Sequence, residues 1–184
     1  MKPDPKDRGP AQRLGLVQVY TGNGKGKTTA ALGLSLRACG HGLRTYIGQF
    51  AKGRVCGELA GLGRLAPNVR IEQYGADPAF HEDVLTHDQR QAARAGLGTA
   101  RAAMQSGEYQ IVILDEVLVA CRLGLIPEAS VLTLIDERPP DVELVLTGRD
   151  APPSILERAD LVTEMREVKH PFSRGIEARI GIEY

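Results

Sequence analysis

The chain has 184 residues, of which 42% are hydrophobic and 25% are charged, and its formal net charge at pH 7 is zero. This length suits one α/β domain with a packed core and is short for two domains. A zero net charge provides no long-range attraction to nucleic acid or to an anionic membrane, and no stretch approaches the ~20 apolar residues that cross a bilayer. We therefore expect neither nucleic acid nor a membrane as a partner.

The first thirteen residues are polar and include Pro3, Pro5 and Pro10, so they have no apolar signal-peptide core. We predict a flexible tail over residues 1–13, a single domain over residues 14–184 and a cytoplasmic location. The three cysteines have no Cys-x-x-Cys spacing, which favours reduced structural thiols. These are Cys39, Cys56 and Cys121.

Apolar runs alternate with helix-forming segments along the chain, which predicts an α/β fold with a mostly parallel, doubly wound sheet. Strands are predicted over residues 16–20, 45–50, 69–74, 111–114, 142–147 and 161–165. Helices are predicted over residues 27–38, from Thr86 toward Ser106 behind a capping box of Thr86 and Gln89, and over residues 127–135. Apolar and polar residues alternate from 176 to 184, and this period of two predicts a half-exposed strand at the edge of the sheet.

A glycine-rich stretch lies between the first predicted strand and the first predicted helix. It reads Gly22-Asn23-Gly24-Lys25-Gly26-Lys27-Thr28-Thr29. Its glycines let backbone N–H groups point inward and form a nest for an anion at a helix N-terminus. Lys27 then reaches phosphate oxygens, and the Thr28 hydroxyl ligates Mg²⁺. Thr21 occupies a place that is usually glycine, but Gly22 and Gly24 supply the flexibility, so all eight residues are predicted to bind a nucleoside triphosphate.

Two acidic residues, Asp115 and Glu116, follow a continuously apolar strand. A carboxylate at this position binds the Mg²⁺ of a nucleotide directly or through water. Which of the two is the direct ligand is left open. Arg149 follows another apolar strand and therefore lies on the same ligand-binding side, where it pairs with a phosphate or a propionamide-bearing ligand, or else forms a surface ion pair.

The wider string over residues 20–30 resembles the loop of ATP:cob(I)alamin (corrinoid) adenosyltransferases. The resemblance runs in order through nearly the whole chain, from about residue 14 to residue 184. It is carried by Gln49-Phe50-Ala51-Lys52-Gly53, Leu114-Asp115-Glu116, Glu137-Arg138-Pro139, Thr147-Gly148-Arg149, residues 155–160, Val168-Lys169-His170 and Gly181-Ile182-Glu183-Tyr184.

The resemblance implies a RecA-like homodimer that binds Mg·ATP at the loop, with the nucleotide reversed relative to hydrolases. Co(I) of a corrinoid then attacks the ribose 5′ carbon and expels triphosphate, in the synthesis or salvage of adenosylcobalamin. A flavoprotein fits the role of the cobalt reductant. The catalytic residues implied are Lys27, Thr28 and Glu116, and Thr28, Asp115 and Glu116 are the implied magnesium site. Because reduced cobalt needs no general base, the absence of a Ser/His/Asp or Cys/His pattern is consistent with this chemistry.

One segment departs from the family pattern. Its best-known members carry Phe-Thr-Trp after the third strand, with aromatics that press on the lower face of the corrin, whereas this chain has no tryptophan. Tyr74, Phe80 and His81 occupy that stretch, and Phe80, as its only purely apolar aromatic, is predicted to exclude the lower axial ligand or else to pack in the core. His170 is predicted to face the corrinoid or to be structural.

Two other functions remain open on the sequence. A P-loop ATPase or small-molecule kinase would use Glu116 to position water or a hydroxyl acceptor. A non-catalytic, ATP-gated corrinoid carrier would bind both ligands without turnover.

Overall fold

Six parallel strands form one sheet in the order β3-β2-β4-β5-β1-β6. The computed structural model describes residues 14–52, 56–75 and 85–183. The strands are β1 Val17–Thr21, β2 Thr45–Phe50, β3 Val69–Tyr74, β4 Ile111–Asp115, β5 Glu143–Thr147 and β6 Leu161–Glu164. The predicted α/β fold with a parallel sheet is confirmed, and every strand pairing is parallel. The predicted tail, residues 1–13, lies outside the described residues.

Helices connect the strands and cover both faces of the sheet. They are α1 Lys27–Gly40, α2 Gly57–Gly63, α3 His87–Gln105, α4 Val117–Arg122, α5 Glu128–Asp136 and α6 Pro153–Arg158. The predicted capping box opens α3, since the Gln89 N–H donates to Thr86 Oγ1 at 3.2 Å and the Thr86 N–H donates to Gln89 Oε1 at 2.8 Å. Among the described helices, none is both long and apolar enough to cross a membrane.

The sheet separates two apolar clusters, as a strand buried on both faces requires. Val112 and Leu114 of β4 pack with α3, α4, α5 and α6, whereas Ile111 and Ile113 pack with α1 and α2. No disulfide joins the three cysteines, in agreement with the predicted reduced thiols. The continuous burial of β2, β4 and β5 fixes the positions of their carboxyl ends, where polar side chains follow.

The predicted strand at the C-terminus is wrong. Residues 176–183 form irregular chain and a turn, and β6 is the edge strand next to β1. Gly175 and Gly181 have φ values of 75° and 76°, which interrupt extended backbone, and the Ile182 and Glu183 N–H groups both donate to Arg179 O. The alternation of side chains therefore reflects a glycine-containing turn and no sheet face.

Three helices were absent from the sequence prediction, and all three are seven residues or shorter. The first, α2, contains three glycines in seven residues, a composition that disfavours a helix. The second, α4, is separated from β4 by Glu116 alone, whose left-handed φ of 59° makes the turn. A one-residue connection contains no run of turn-forming residues that would mark the start of a helix in the sequence. Short helices of this kind depend on tertiary packing more than on local propensity.

Candidate active site

The phosphate loop connects β1 to α1, and its glycines are required by close contacts. Gly22 and Gly26 have φ values of 93° and 123°, a region that favours glycine. A Cβ added at Gly24 would lie 2.7 Å from the Met165 carbonyl oxygen. The Gly24 N–H itself donates to that oxygen at 2.6 Å. The loop is thus in direct contact with the residue that follows β6. The prediction that the N–H groups of the loop point toward an anion is wrong for Gly24, whose N–H is bound to Met165.

Lys27 begins α1 and is only 6% exposed. Its ammonium donates to Gly22 O at 2.7 Å and to Gly24 O at 2.8 Å. Burial lowers the pKa of Lys27, and the nearby Glu116 carboxylate opposes that shift. Both carbonyls belong to the loop that would surround a phosphate. A small movement of the Lys27 side chain is therefore enough to exchange one of these carbonyl oxygens for a phosphate oxygen.

Asp115 ends β4 and is completely buried. Its Oδ1 accepts hydrogen bonds from Thr28 Oγ1 and Thr147 Oγ1, both at 2.8 Å. Its Oδ2 accepts from Gln49 Nε2 at 3.1 Å and from Lys52 Nζ at 3.0 Å. A carboxylate offers about four acceptor positions, so these protein donors occupy Asp115 fully. The arrangement suits a residue that orients the Thr28 hydroxyl better than one that ligates a metal directly.

Glu116 differs from its neighbour because its carboxylate makes no hydrogen bond to another described residue and lines the cleft in front of the loop. Its backbone N–H donates to Thr147 Oγ1 at 2.9 Å, which fixes the left-handed turn. Burial and the adjacent Asp115 carboxylate raise the pKa of Glu116. A bound cation would favour the ionised form, so Glu116 is the better candidate for contact with a metal.

The sequence prediction did not assign Lys52 and Glu58 to the site. Lys52 Nζ lies 3.3 Å from Glu58 Oε1 in addition to its contact with Asp115. Burial acts against the ammonium charge, but the Asp115 and Glu58 carboxylates together outweigh that effect and raise the pKa of Lys52. Ala51, immediately before it, has a φ of 51°, unusual for alanine, at the end of β2. Lys52 follows the buried strand β2 by two residues. That position was the available signal for assigning Lys52 to the site.

One cleft of about 1020 Å³ brings most of the predicted site residues together. One side, here called the loop wall, consists of residues 23–29 with Lys52 and Glu116. The opposite side, here called the C-terminal wall, consists of His170 and residues 181–183. An apolar part between α1 and α2 is lined by Leu32, Leu36, Leu62 and Leu65. Gly22 and Asp115 stand behind this surface and support it.

Comparison with known proteins assigns the chain to a family. The family model described as ATP:corrinoid adenosyltransferase BtuR/CobO/CobP matches residues 13–184. The chain belongs to the ATP:corrinoid adenosyltransferase family. A corrinoid adenosyltransferase of Pseudomonas aeruginosa is 38% identical over 171 residues, which cover 92% of this chain and 84% of that protein. That of Escherichia coli K12 is 37% identical over 171 residues, with 92% and 86% covered. The corrinoid adenosyltransferase CobA of Salmonella typhimurium is 33% identical over 180 residues, with 94% and 87% covered. The predicted family and enzyme class are confirmed.

The remaining predicted residues of the adenosyltransferase have different surroundings. Arg149 is exposed, lines the cleft and makes no hydrogen bond or ion pair with another described residue, so the alternative of a surface ion pair receives no support. His170 lines the C-terminal wall, while its Nδ1 accepts the Phe172 N–H at 3.2 Å. It therefore caps the short 3₁₀ helix Pro171–Arg174 as well as facing the cleft. Phe80 and His81 lie outside the described residues, and the predicted role of Phe80 stays a prediction.

Proposed function

We propose that this adenosyltransferase transfers the 5′-deoxyadenosyl group of ATP to the Co(I) of a corrinoid and releases inorganic triphosphate. The electron pair of Co(I) forms the cobalt–carbon bond while the bond between C5′ and its oxygen breaks. Triphosphate leaves with the electrons of that bond, and the cobalt is formally oxidised to Co(III). No protein base takes part, because reduced cobalt is already a nucleophile.

The observation that carries the proposal is the single cleft that joins the phosphate loop to an apolar surface. Its volume of about 1020 Å³ lies at the upper end of the range for small-ligand sites, roughly 300–1,000 Å³. A nucleotide at the loop therefore leaves room beside it for part of a second ligand. Such a shared cleft suits a reaction whose barrier is lowered mainly by placing two reactants in line.

The lining residues favour departure of a highly charged leaving group. Four cationic side chains face the cleft from the loop and from the ends of two strands: Lys25, Lys27, Lys52 and Arg149. Fixed cations near a developing negative charge stabilise a transition state more strongly than mobile water does. Asp115 supports this arrangement by holding both Thr28 and Lys52.

Magnesium is a proposed component, and the residues present fit it. Thr28 and Glu116 line the cleft with oxygen donors, the ligand type that Mg²⁺ prefers. Within the described residues, no cluster of three or more His, Cys, Asp or Glu forms a dedicated metal cage. This agrees with a magnesium ion that keeps phosphate and water ligands and uses few protein ligands. When bound, the ion neutralises phosphate charge.

A homodimer is also proposed. Support comes from apolar side chains exposed on the segment that contains the C-terminal wall: Val168, Phe172 and Ile180 are 86%, 73% and 82% exposed. Clustered exposed apolar side chains often mark contact surfaces. Light scattering should give twice the chain mass. A cytoplasmic location and a flavoprotein reductant are also proposed, and the reductant rests on the family resemblance.

The test is an anaerobic mixture of protein, Mg·ATP and chemically reduced corrinoid. The Co(I) absorption should disappear, and phosphorus NMR should detect one triphosphate per adenosylated corrinoid with negligible ADP. ADP as the corrinoid-dependent product would establish the kinase or ATPase alternative, for which Glu116 could position water. Binding of both ligands without turnover would establish the carrier alternative.

A further inference from the structure

The end of the chain contacts the phosphate loop through one lysine. Lys25 Nζ donates to Glu183 Oε1 at 2.8 Å and to Ile182 O at 3.1 Å. Ile182 and Glu183 lie 157 and 158 positions after Lys25 in the sequence. The contact therefore exists only because the turn 179–183 returns to the loop. Lys27, two residues further along the loop, has no contact of this kind, because its ammonium binds the loop's own carbonyls.

The carboxylate of Glu183 is held in place from its other side. Arg179 donates to it through its backbone N–H at 2.8 Å, through Nε at 3.2 Å and through Nη2 at 3.1 Å. These bonds from Arg179, together with the bond from Lys25, lower the pKa of Glu183 to about 2. The Glu183 side chain is 19% exposed, whereas that of Lys25 is 47% exposed. Glu183 is thus a negative charge held by several donors, and Lys25 is the more exposed partner.

Both charges border the cleft in which the triphosphate is proposed to bind. Gly181, Ile182 and Glu183 line it from the C-terminal wall, and Lys25 lines it from the loop wall. A carboxylate there has two effects on a polyanion. It repels the phosphates directly, and it competes with them for the ammonium of Lys25.

We propose that Glu183 is a positioning residue that holds Lys25 at the C-terminal turn and thereby limits how tightly the phosphate loop binds triphosphate. The proposal rests on the proposed function, in which triphosphate is the product that must leave. Without Glu183, Lys25 is free to add its charge to the phosphate contacts. The loop then binds ATP and triphosphate more tightly, and release of triphosphate is slower.

The experiment compares Glu183→Gln with the parent enzyme by calorimetric titration of ATP and of inorganic triphosphate at low ionic strength, each with Mg²⁺. Glutamine keeps the size of the side chain and removes its charge. We expect both dissociation constants to fall by about fivefold to tenfold, because the Lys25 ammonium, no longer held by Glu183, adds its charge to the phosphate contacts. In turnover, KM for ATP should fall and kcat should fall with it as product release slows. Glu177→Gln, an exposed carboxylate in the same segment that does not line the cleft, is the matched control and should change neither constant.

A second variant separates this role from a structural one. If Glu183 acts through Lys25, most of the effect of Glu183→Gln should disappear in a Lys25→Met background, as a double-mutant cycle would measure. Since the pKa of Glu183 is about 2, the ratio of parent to variant should be constant between about pH 6 and about pH 8. Weaker binding by Glu183→Gln, unchanged binding, or the same gain in both backgrounds would each overturn the proposal.

The outcomes also distinguish this inference from the proposed function. If the parent bound ATP but gave no corrinoid-dependent triphosphate, the proposed function would fail. The ATP titrations of the four proteins in the cycle would still decide the role of Glu183. Ion pairs at the protein surface contribute little to stability, so unfolding temperatures should agree across the series.

Discussion

The loop wall and the C-terminal wall face each other across one cleft, but different forces hold them. On the loop side, the Asp115 carboxylate is completely buried and binds four side chains from α1, β2, β5 and the turn after β2. On the C-terminal side, the contacts are solvent-accessible bonds within a turn and the ion pair between Lys25 and Glu183. Buried hydrogen-bond networks are rigid because leaving any member unpaired is costly, whereas exposed pairs exchange with water.

This difference indicates which properties each wall controls. Changes behind the loop wall should alter folding and chemistry together, because the same bonds serve both. Changes on the C-terminal wall should alter ligand affinity with little effect on folding. Four predictions, from the largest expected effect to the smallest, test that division.

The largest effect is expected for Asp115→Asn. All four present contacts donate to the Asp115 carboxylate, so the amide nitrogen that replaces one of its oxygens places N–H donors against two of them. The substitution also leaves the Lys52 ammonium without its buried counter-ion. Breaking a buried charge pair costs about 3–5 kcal/mol, and we expect the free energy of unfolding to fall by about 3 kcal/mol in urea denaturation. Asp141→Asn, an exposed carboxylate beyond α5, is the control and should change stability by less than about 0.5 kcal/mol. A loss below about 1 kcal/mol at Asp115 would contradict a buried network that supports the loop.

The next effect is expected for Lys27→Ala. It removes a charge-assisted contact to phosphate worth roughly 1.5–3 kcal/mol, so ATP affinity or kcat/KM should fall at least tenfold. Lys25→Met should cost less, because about half of that side chain is exposed and its charge is already shared with Glu183. Lys169→Ala, an exposed lysine that does not line the cleft, is the control for loss of charge alone. Equal effects at Lys25 and Lys27 would show that the burial of a loop lysine does not determine how much it contributes to ATP binding.

A smaller effect is expected where the loop meets the end of β6. Gly24→Ala would bring a Cβ to 2.7 Å from the Met165 carbonyl oxygen, so the loop must move away from it. Overpacking of this kind costs typically 1–3 kcal/mol, and we expect weaker ATP binding and a loss of about 1–2 kcal/mol in unfolding free energy. The matched control is Gly98→Ala in α3, where a Cβ meets nothing within 4 Å. That variant should gain roughly 0.5–1 kcal/mol through helix propensity.

The sequence was sufficient to predict the strands and the loop, because both depend on local signals. Apolar runs marked β4 and β5, and the glycine spacing marked the residues that the end of β6 approaches closely. It was also sufficient to place Asp115 and Glu116 at the carboxyl end of β4, the edge at which parallel sheets bind ligands.

Other features depend on contacts that no local pattern encodes. The different roles proposed for Asp115 and Glu116 follow from four donors to Asp115 on three separate segments of the chain. The contact between Lys25 and Glu183 joins the two ends of the domain. The predicted C-terminal strand failed because a period of two in side-chain type does not exclude a turn when glycines such as Gly175 and Gly181 supply positive φ.

The smallest effect is expected for Ile180→Ser on the turn that leads into the C-terminal wall. The Ile180 side chain is 82% exposed, so it has little apolar contact to lose within the chain, and at protein concentrations that keep the chain monomeric the substitution should change the free energy of unfolding by less than about 0.5 kcal/mol. Ile155→Ala at a completely buried position of α6 is the contrasting variant and should cost about 2–5 kcal/mol. A loss above about 1.5 kcal/mol at Ile180 would mean that the side chain is covered in the protein as it exists in solution. In that case the unfolding temperature should rise with protein concentration for the parent and less so for Ile180→Ser, because association stabilises by mass action only the chain that associates. A concentration-independent loss of that size would instead contradict the assignment of the C-terminal wall to the weakly held part of the molecule.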